Sequence, residues 1–236
     1  MTTESSAVRS APVLRFAEAA ALQDLATYVA RARRIQEQGI RLQTVGSILA
    51  AWVPVMTPSS LVGTLPAVLG MRAIRLAEAS TVDATVELSS ITERIARLGP
   101  AETELPLPPS RLNAPWAAVT PPRSGWQPAG SLKNAVLKSA AEEGIAQINQ
   151  AVPTSAGAAV VEQVREKVWG APLNVDAGNE TRGRVALPAG AAFGAFALGF
   201  LNGADAETQV HTQGRWARLS SRAGYILCRT SGNVQL

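Results

Sequence analysis

One histidine, His211, and one cysteine, Cys228, supply all the imidazole and thiol chemistry in 236 residues. A zinc centre of histidines and cysteines needs three or four such ligands, and a serine or cysteine nucleophile needs an imidazole poised beside it. Only His211 could serve. A thiolate–imidazole couple with Cys228 requires that their strands pair and that a cleft opens there; otherwise the result is a packed cysteine and a surface histidine. Carboxylates add little. Glu142 and Glu143 are adjacent and point in different directions on a helix, while Glu162 and Glu166 share a face offset by Arg165 and Lys167. Neither a GxxxxGK phosphate loop nor GxGxxG occurs. The inventory suggests no metal site, no cofactor and no catalytic residue, so recognition is expected rather than turnover.

Two segments carry recognition chemistry. In Pro121-Pro122-Arg123-Ser124-Gly125-Trp126 the prolines fix an extended approach and Gly125 permits a sharp turn. Arg123 between Trp116 and Trp126 could engage a carboxylate, a phosphate or a stacked base. Alternatively, both indoles pin an ordered loop to the core while Arg123 bonds backbone carbonyls. The second segment follows the last acidic residue, Glu207: Arg215, Trp216, Arg218, Arg222 and Arg229, with Tyr225 interleaved. Cations and aromatics on a β-ribbon can hold a phosphate backbone. The same pattern also describes a solvated edge ribbon that its charges keep from aggregating. The helix before it is apolar, a poor recognition helix, and four arginines give modest affinity at cellular salt.

The elements that must position these groups follow from periodicity. Leu14, Ala17, Ala21, Leu25, Tyr28, Ala32 and Ile35 recur at steps of three or four and predict an N-terminal helix, with Arg31, Arg33 and Arg34 suited to its C-terminal dipole. Residues 41–56 read as an aliphatic strand with a bulge at Gly46, and residues 69–76 as a second strand. Val82 to Leu88 alternate as a third, wet on one side. Short connections favour antiparallel pairing. Ser90–Glu93 predicts a capping box opening a short helix that stops at Gly99-Pro100. Seven further prolines before Gly130 make a long irregular connector, which Trp116 and Trp126 must pack. Helices are expected over 132–152 and around Val161–Val168, the latter capped by Thr154 or Ser155. A polar loop at 174–183 leads to a buried helix from Pro188, with Phe193, Phe196 and Phe200 on one face and Gly190 and Gly194 allowing close packing. Strands at 209–213, 215–220 and 225–229 close the chain.

Composition bounds the rest. An apolar fraction of 47% and a charged fraction of 17% exclude a disordered chain. The cation excess, 22 against 18, is weak evidence for nucleic acid. Proline-broken residues 45–71 and the short apolar run 186–201 do not read as membrane spans. One unpaired cysteine and no leader suggest a reducing cytoplasm.

Several segments together resemble an uncharacterised protein family from high-GC Gram-positive bacteria. They are Ile40-Arg41-Leu42-Gln43, Ala73-Ile74-Arg75-Leu76-Ala77-Glu78, Val82-Asp83-Ala84-Thr85-Val86, Trp116-Ala117-Ala118-Val119 with residues 121–126, Ala197-Leu198-Gly199-Phe200-Leu201, and Gly214-Arg215-Trp216-Ala217-Arg218-Leu219. The resemblance implies an intracellular location and carries no activity, ligand or catalytic residue.

The expectation is therefore an α+β protein. It has a disordered N-terminus (1–12), a helix with a small antiparallel sheet (13–99), a Pro/Trp-rich connector (100–130), and a helical half ending in a β-hairpin (131–236), the halves forming either two subdomains or one integrated domain. The leading functional expectation is a cytosolic non-enzymatic binding or scaffolding protein. Its partner would be an unidentified protein or a second copy, held at Trp116, Arg123 and Trp126. The alternatives are a nucleic-acid or polyanion binder using the C-terminal arginines, and a small-molecule enzyme using carboxylate and arginine groups.

Overall fold

Ile40, Leu42, Leu49, Ala51, Val53, Val68 and Ile74 are sealed from solvent in one hydrophobic core, and they occupy alternate positions of strands β2 (Ile40–Val45), β3 (Ile48–Met56) and β4 (Ala67–Arg75). Period-two burial of this kind places one face of a sheet against a covering layer. The computed structural model describes residues 11–57, 65–153, 155–173, 185 and 187–229. Residues 1–10 and the loop 174–183, for which expectations were stated, lie outside the described residues.

Strand β1 (Val13–Arg15) pairs with β6 (Glu104–Pro106) in a two-stranded sheet. The remaining strands are β5 (Asp83–Val86), β7 (Gln127–Lys133), β8 (Glu207–Gln213), β9 (Trp216–Ser220) and β10 (Tyr225–Arg229). With β2, β3 and β4 they form an eight-stranded antiparallel sheet in the order β5-β2-β3-β4-β10-β9-β8-β7. The first and second halves of the chain meet inside this sheet, where β4 pairs with β10 through Leu69 opposite Leu227 and Val68 opposite Cys228.

Among the described residues five helices form the covering layer: α1 (Ala19–Arg33), α2 (Leu88–Ala96), α3 (Asn134–Ala151), α4 (Ala158–Gly170) and α5 (Ala189–Ala197). Helices α1 and α5 lie on the sheet, α2 packs on α1, and α3 and α4 pack on α5. Small residues set the close approach of α5: a Cβ on Gly194 would sit 3.1 Å from the Val55 side chain. Beyond α5, Phe200 stacks on Tyr28 of α1 with ring centroids 5.9 Å apart, tying the two halves of the layer together. Among the described residues no helix is long and apolar enough to cross a membrane.

The mixed helix and antiparallel sheet content agrees with the α+β expectation; the layout differs in several places. There is one large sheet through both halves instead of a small N-terminal sheet and a separate hairpin. Residues 41–56 are two strands, because Gly46 adopts φ +58° and turns a hairpin rather than a bulge. The N-terminal helix is shorter, since Leu14 is on β1. The Ser90–Glu93 capping box does not form: α2 already begins at Leu88 after Glu87, which makes no side-chain cap, and Thr92 donates instead to the Leu88 carbonyl. Gly157, not Ser155, precedes α4. The three phenylalanines split, Phe193 stacking on Trp169 at 4.4 Å while Phe200 lies past the helix end. Strands β9 and β10 are interior strands, so the C-terminal arginines are not on an edge ribbon.

Candidate functional site

The sheet face turned away from the helices carries an ordered set of side chains. Across it, register aligns Arg41, Trp52, Met71, Tyr225, Ser220 and Gln209 in one row. Leu69, Leu227, Arg218 and His211 form the next row. Residues in direct cross-strand register project to the same face. This side is therefore apolar over β3, β4 and β10, becoming cationic and polar toward β8 and β2.

The proline-rich connector runs over this face and is tied down at named points. The Leu112 amide donates to the Thr85 carbonyl at 2.8 Å, covering the outer edge of β5. A 3-10 turn, Pro115–Ala118, buries Trp116, whose Nε1 donates to the Gln38 carbonyl at 2.9 Å. Arg41 Nη1 donates to the Ala117 carbonyl at 2.7 Å. The chain then reverses at Gly125 (φ +81°), and Trp126 Nε1 donates to the Pro122 carbonyl at 3.1 Å. Between connector and sheet lies a cleft of about 400 Å³, with Trp52, Met71 and Leu227 in its floor and Trp116, Pro122 and Trp126 in its roof.

Three groups set the electrostatics. Arg41 bonds both Asp83 oxygens, at 2.8 and 2.7 Å, and Gln43 adds a third bond at 3.0 Å. The Arg41 bonds hold the Asp83 carboxyl below its usual range against a smaller opposing effect of burial, aided by Gln43 and the charges of Arg41 and Arg123. The Arg218 guanidinium carbon sits 4.7 Å from the Trp126 ring centroid and 5.7 Å from that of Tyr225, and its Nε donates to Ser220 Oγ at 3.0 Å. Burial lowers its pKa, and it has no carboxylate partner among the described residues. His211 Nδ1 lies 3.5 Å from Ser220 Oγ; burial first, then the charge of Arg218, depresses its pKa. A cation next to the imidazole opposes the imidazolium that a general base must form. The arrangement is suited to holding an anion and an apolar body.

The expected residues fall in different places. Trp116 and Trp126 both line the cleft and both have backbone acceptors, so they anchor the connector as well as shape the site. Arg123 is exposed at the rim, and the guanidinium on the face of Trp126 belongs to Arg218. The C-terminal set does not act together. Trp216 is buried, Arg215 and Arg229 lie toward one end of β9–β10, Arg222 is at the opposite turn, and Arg218 alone enters the cleft. Cys228 is buried on the helical face of β10 with its thiol pKa raised by burial, while His211 is on the other face with β9 between them, so no couple forms. Among the described residues no group of three or more His, Cys, Asp or Glu could hold a metal ion. Tyr225 was noted only as an aromatic beside the C-terminal arginines, and Arg41, Trp52 and Met71 were not anticipated as site residues. The available signal was the apolar run of β4, Ala67-Val68-Leu69, which is apolar on both faces and so requires cover on both.

The fold has close parallels among solved structures. A protein described as a DNA polymerase III beta subunit from Eubacterium rectale superposes with a TM-score of 0.57 at 8% identity, over 92% of this chain and 64% of that one. The DNA polymerase sliding clamp of Caulobacter crescentus gives 0.54 at 12% identity, over 95% and 66%. The DNA polymerase III beta subunit of Thermotoga maritima gives 0.51 at 14% identity, over 95% and 65%. This chain thus spans just under two thirds of the length of those proteins. No curated protein matches it in sequence. The leading functional expectation, a cytosolic non-enzymatic binding or scaffolding protein of unknown function, is overturned by this likeness of fold to the sliding clamps. Residues 9–118 match the family described as Domain of unknown function (DUF8010) and residues 121–233 that described as Domain of unknown function (DUF8185), so the chain sets matches to two families of unknown function, one after the other, on a sliding-clamp fold.

Proposed function

We propose that this protein is a nucleic-acid-associated scaffold built on the sliding-clamp fold and acting in the cytoplasm. The observation that carries the reading is the unbroken eight-stranded antiparallel sheet with its helices in one layer, a layout paralleled in sliding clamps over 92–95% of the chain. Charge on that layer selects the contact. Helices α1 and α2 with their caps carry Arg31, Arg33, Arg34, Arg94 and Arg97, all in the last turns or C-caps, against Glu18 and Glu87 at the N-caps and Asp24 and Glu93 within the helices. Helices α3 and α4 carry Lys138, Arg165 and Lys167 against Glu142, Glu143, Glu162 and Glu166. A polyanion is attracted to the C-terminal ends of α1 and α2, where the arginines gather, more than to α3 and α4, whose cations are interspersed with glutamates. The arginines once assigned to a basic hairpin are replaced in this role by Arg34, Arg94 and Arg97.

Fluorescence anisotropy with labelled duplex DNA across a salt series tests this. Binding should weaken linearly in log–log form as salt rises, with a slope of about 0.9 per phosphate contact. Reversal of Arg34, Arg94 and Arg97 to Glu should abolish binding, whereas Lys138→Glu with Lys167→Glu should change it little. No salt-dependent binding by the parent protein, or equal loss in both variants, refutes the reading.

A further inference from the structure

The cleft on the open sheet face is not used by a contact through α1 and α2, and its chemistry is specific. Arg218 is a half-buried cation without a carboxylate partner among the described residues, braced by two aromatic rings and a serine hydroxyl. A desolvated charge held this rigidly without a counter-ion costs stability unless an anion meets it. The other two guanidinium groups at the cleft differ: Arg41 is neutralised by Asp83 and committed to the Ala117 carbonyl, and Arg123 is exposed. The indole N–H of Trp52, in the floor, is buried without an acceptor.

The apolar floor also has a direction. From the Leu69–Leu227–Arg218 row it passes Trp52 and Met71, then Ala50 and Ala73, and reaches Val45 and Ile48 at the β2–β3 turn. Val45 and Ile48 are 56% and 43% exposed, two of the three large hydrophobic residues left in solvent among the described residues. Measured along β4, the track is roughly 20 Å long at 3.3 Å per residue. It has the half-buried Arg218 at one end; at the other, the exposed aliphatic side chains of Val45 and Ile48 stand beside the exposed Arg75, which is in register with Ile48.

We propose that this cleft binds a long-chain aliphatic carboxylate, its head group on the Arg218 guanidinium and its tail laid over Trp52, Ala50 and Ala73 toward Val45 and Ile48. The roof formed by Trp116, Pro122 and Trp126 covers the head-group half, where the charge pair is strongest once water is excluded. The open end accommodates tails of different length. Nothing in this inference depends on nucleic-acid binding, and its failure leaves that reading untouched.

Submicellar dodecanoate, followed by tryptophan fluorescence and calorimetry on the full chain, is the probe, with 1-dodecanol as the neutral control. Arg218→Gln should weaken dodecanoate about tenfold or more, the usual consequence of losing a charge-assisted hydrogen bond, and leave dodecanol unchanged. Ala50→Phe should block both ligands by filling the floor, and the exposed Ala73→Phe supplies the same block if the first variant does not fold. Dodecanoate binding equal to the parent's in Arg218→Gln, or undiminished in the phenylalanine variant that folds, overturns the proposal. So does the absence of any dodecanoate binding to the parent protein.

Discussion

Leu49 and Ala50 are neighbours on β3 that face opposite sides of the same sheet, and they experience different physics. Leu49 is fully buried under the helices, where Gly194 lets α5 approach and Phe200 closes on Tyr28. Ala50 faces the cleft, under a connector held by hydrogen bonds and by the buried Trp116, with open space left between connector and sheet. Both faces are apolar, yet the helical one is buried core while the other leaves a cleft of about 400 Å³. Apolar surface on the helical side thus serves folding, while on the other side much of it remains available to a ligand.

Paired substitutions can break that comparison. Leu49→Ala should cost about 2–5 kcal/mol, because a packed core relaxes only partly around the missing methyls. Ala50→Leu should stay within about 0.5 kcal/mol, since the added atoms enter open space. Urea unfolding of both variants measures the difference, and equal losses would mean that the cleft face is as closed as the helical one. A smaller effect sharpens the account of the connector. Trp116→Phe keeps most of the ring packing and removes only the bond to the Gln38 carbonyl. The expected loss is about 1 kcal/mol, accompanied by faster amide exchange at Ala117 and Val119; unchanged exchange would show that the roof is held by packing alone.

Sequence periodicity revealed the two sides of the sheet unevenly. The strands at 69–76, 82–88, 209–213 and 225–229 were legible because their alternation is local, and so were the glycines of α5, whose spacing alone signals close packing. The pairing of β4 with β10 was not legible: it joins residues about 160 positions apart, and long-range strand pairing leaves no trace in any short window. The Gly46 hairpin was missed because a strand–turn–strand of aliphatic residues reads as one strand when the turn is short. In the cleft, Trp116, Trp126 and Arg218 were each noticed, but in separate motifs. Arg218 was grouped with its sequence neighbours Arg215 and Arg222, whereas strand pleating sends it to a different face and turn geometry sends them to the ends. Arg41 and Trp52 went unnoticed, since a polar residue and an indole on an aliphatic strand look unremarkable until register sets them beside Met71 and Tyr225.

The two ends of the open face also differ in how they respond to acid, which separates them with the smallest expected effects. At the β2–β5 end, Arg41 holds the Asp83 pKa below its ordinary 3.8. Its contribution is therefore present above that value and is lost as pH falls through the depressed folded pKa. At the β8–β9 end, burial and Arg218 hold His211 below its ordinary 6.5. Here the unfolded chain takes up the proton first, so stability falls as pH drops below about 6.5 and levels off beneath the folded pKa. Thermal melts should then show Asp83→Asn flattening the profile only below about pH 4, and His211→Asn flattening it from about pH 6.5 downward. Both groups are partly exposed, and solvent screening keeps the changes modest. Of the two, His211 gives the finer test of the cleft. An anion seated on Arg218 removes the charge that opposes its protonation, so bound dodecanoate should raise the His211 pKa, as read from its imidazole NMR signals. An unmoved His211 titration at saturating dodecanoate would put the carboxylate somewhere other than Arg218.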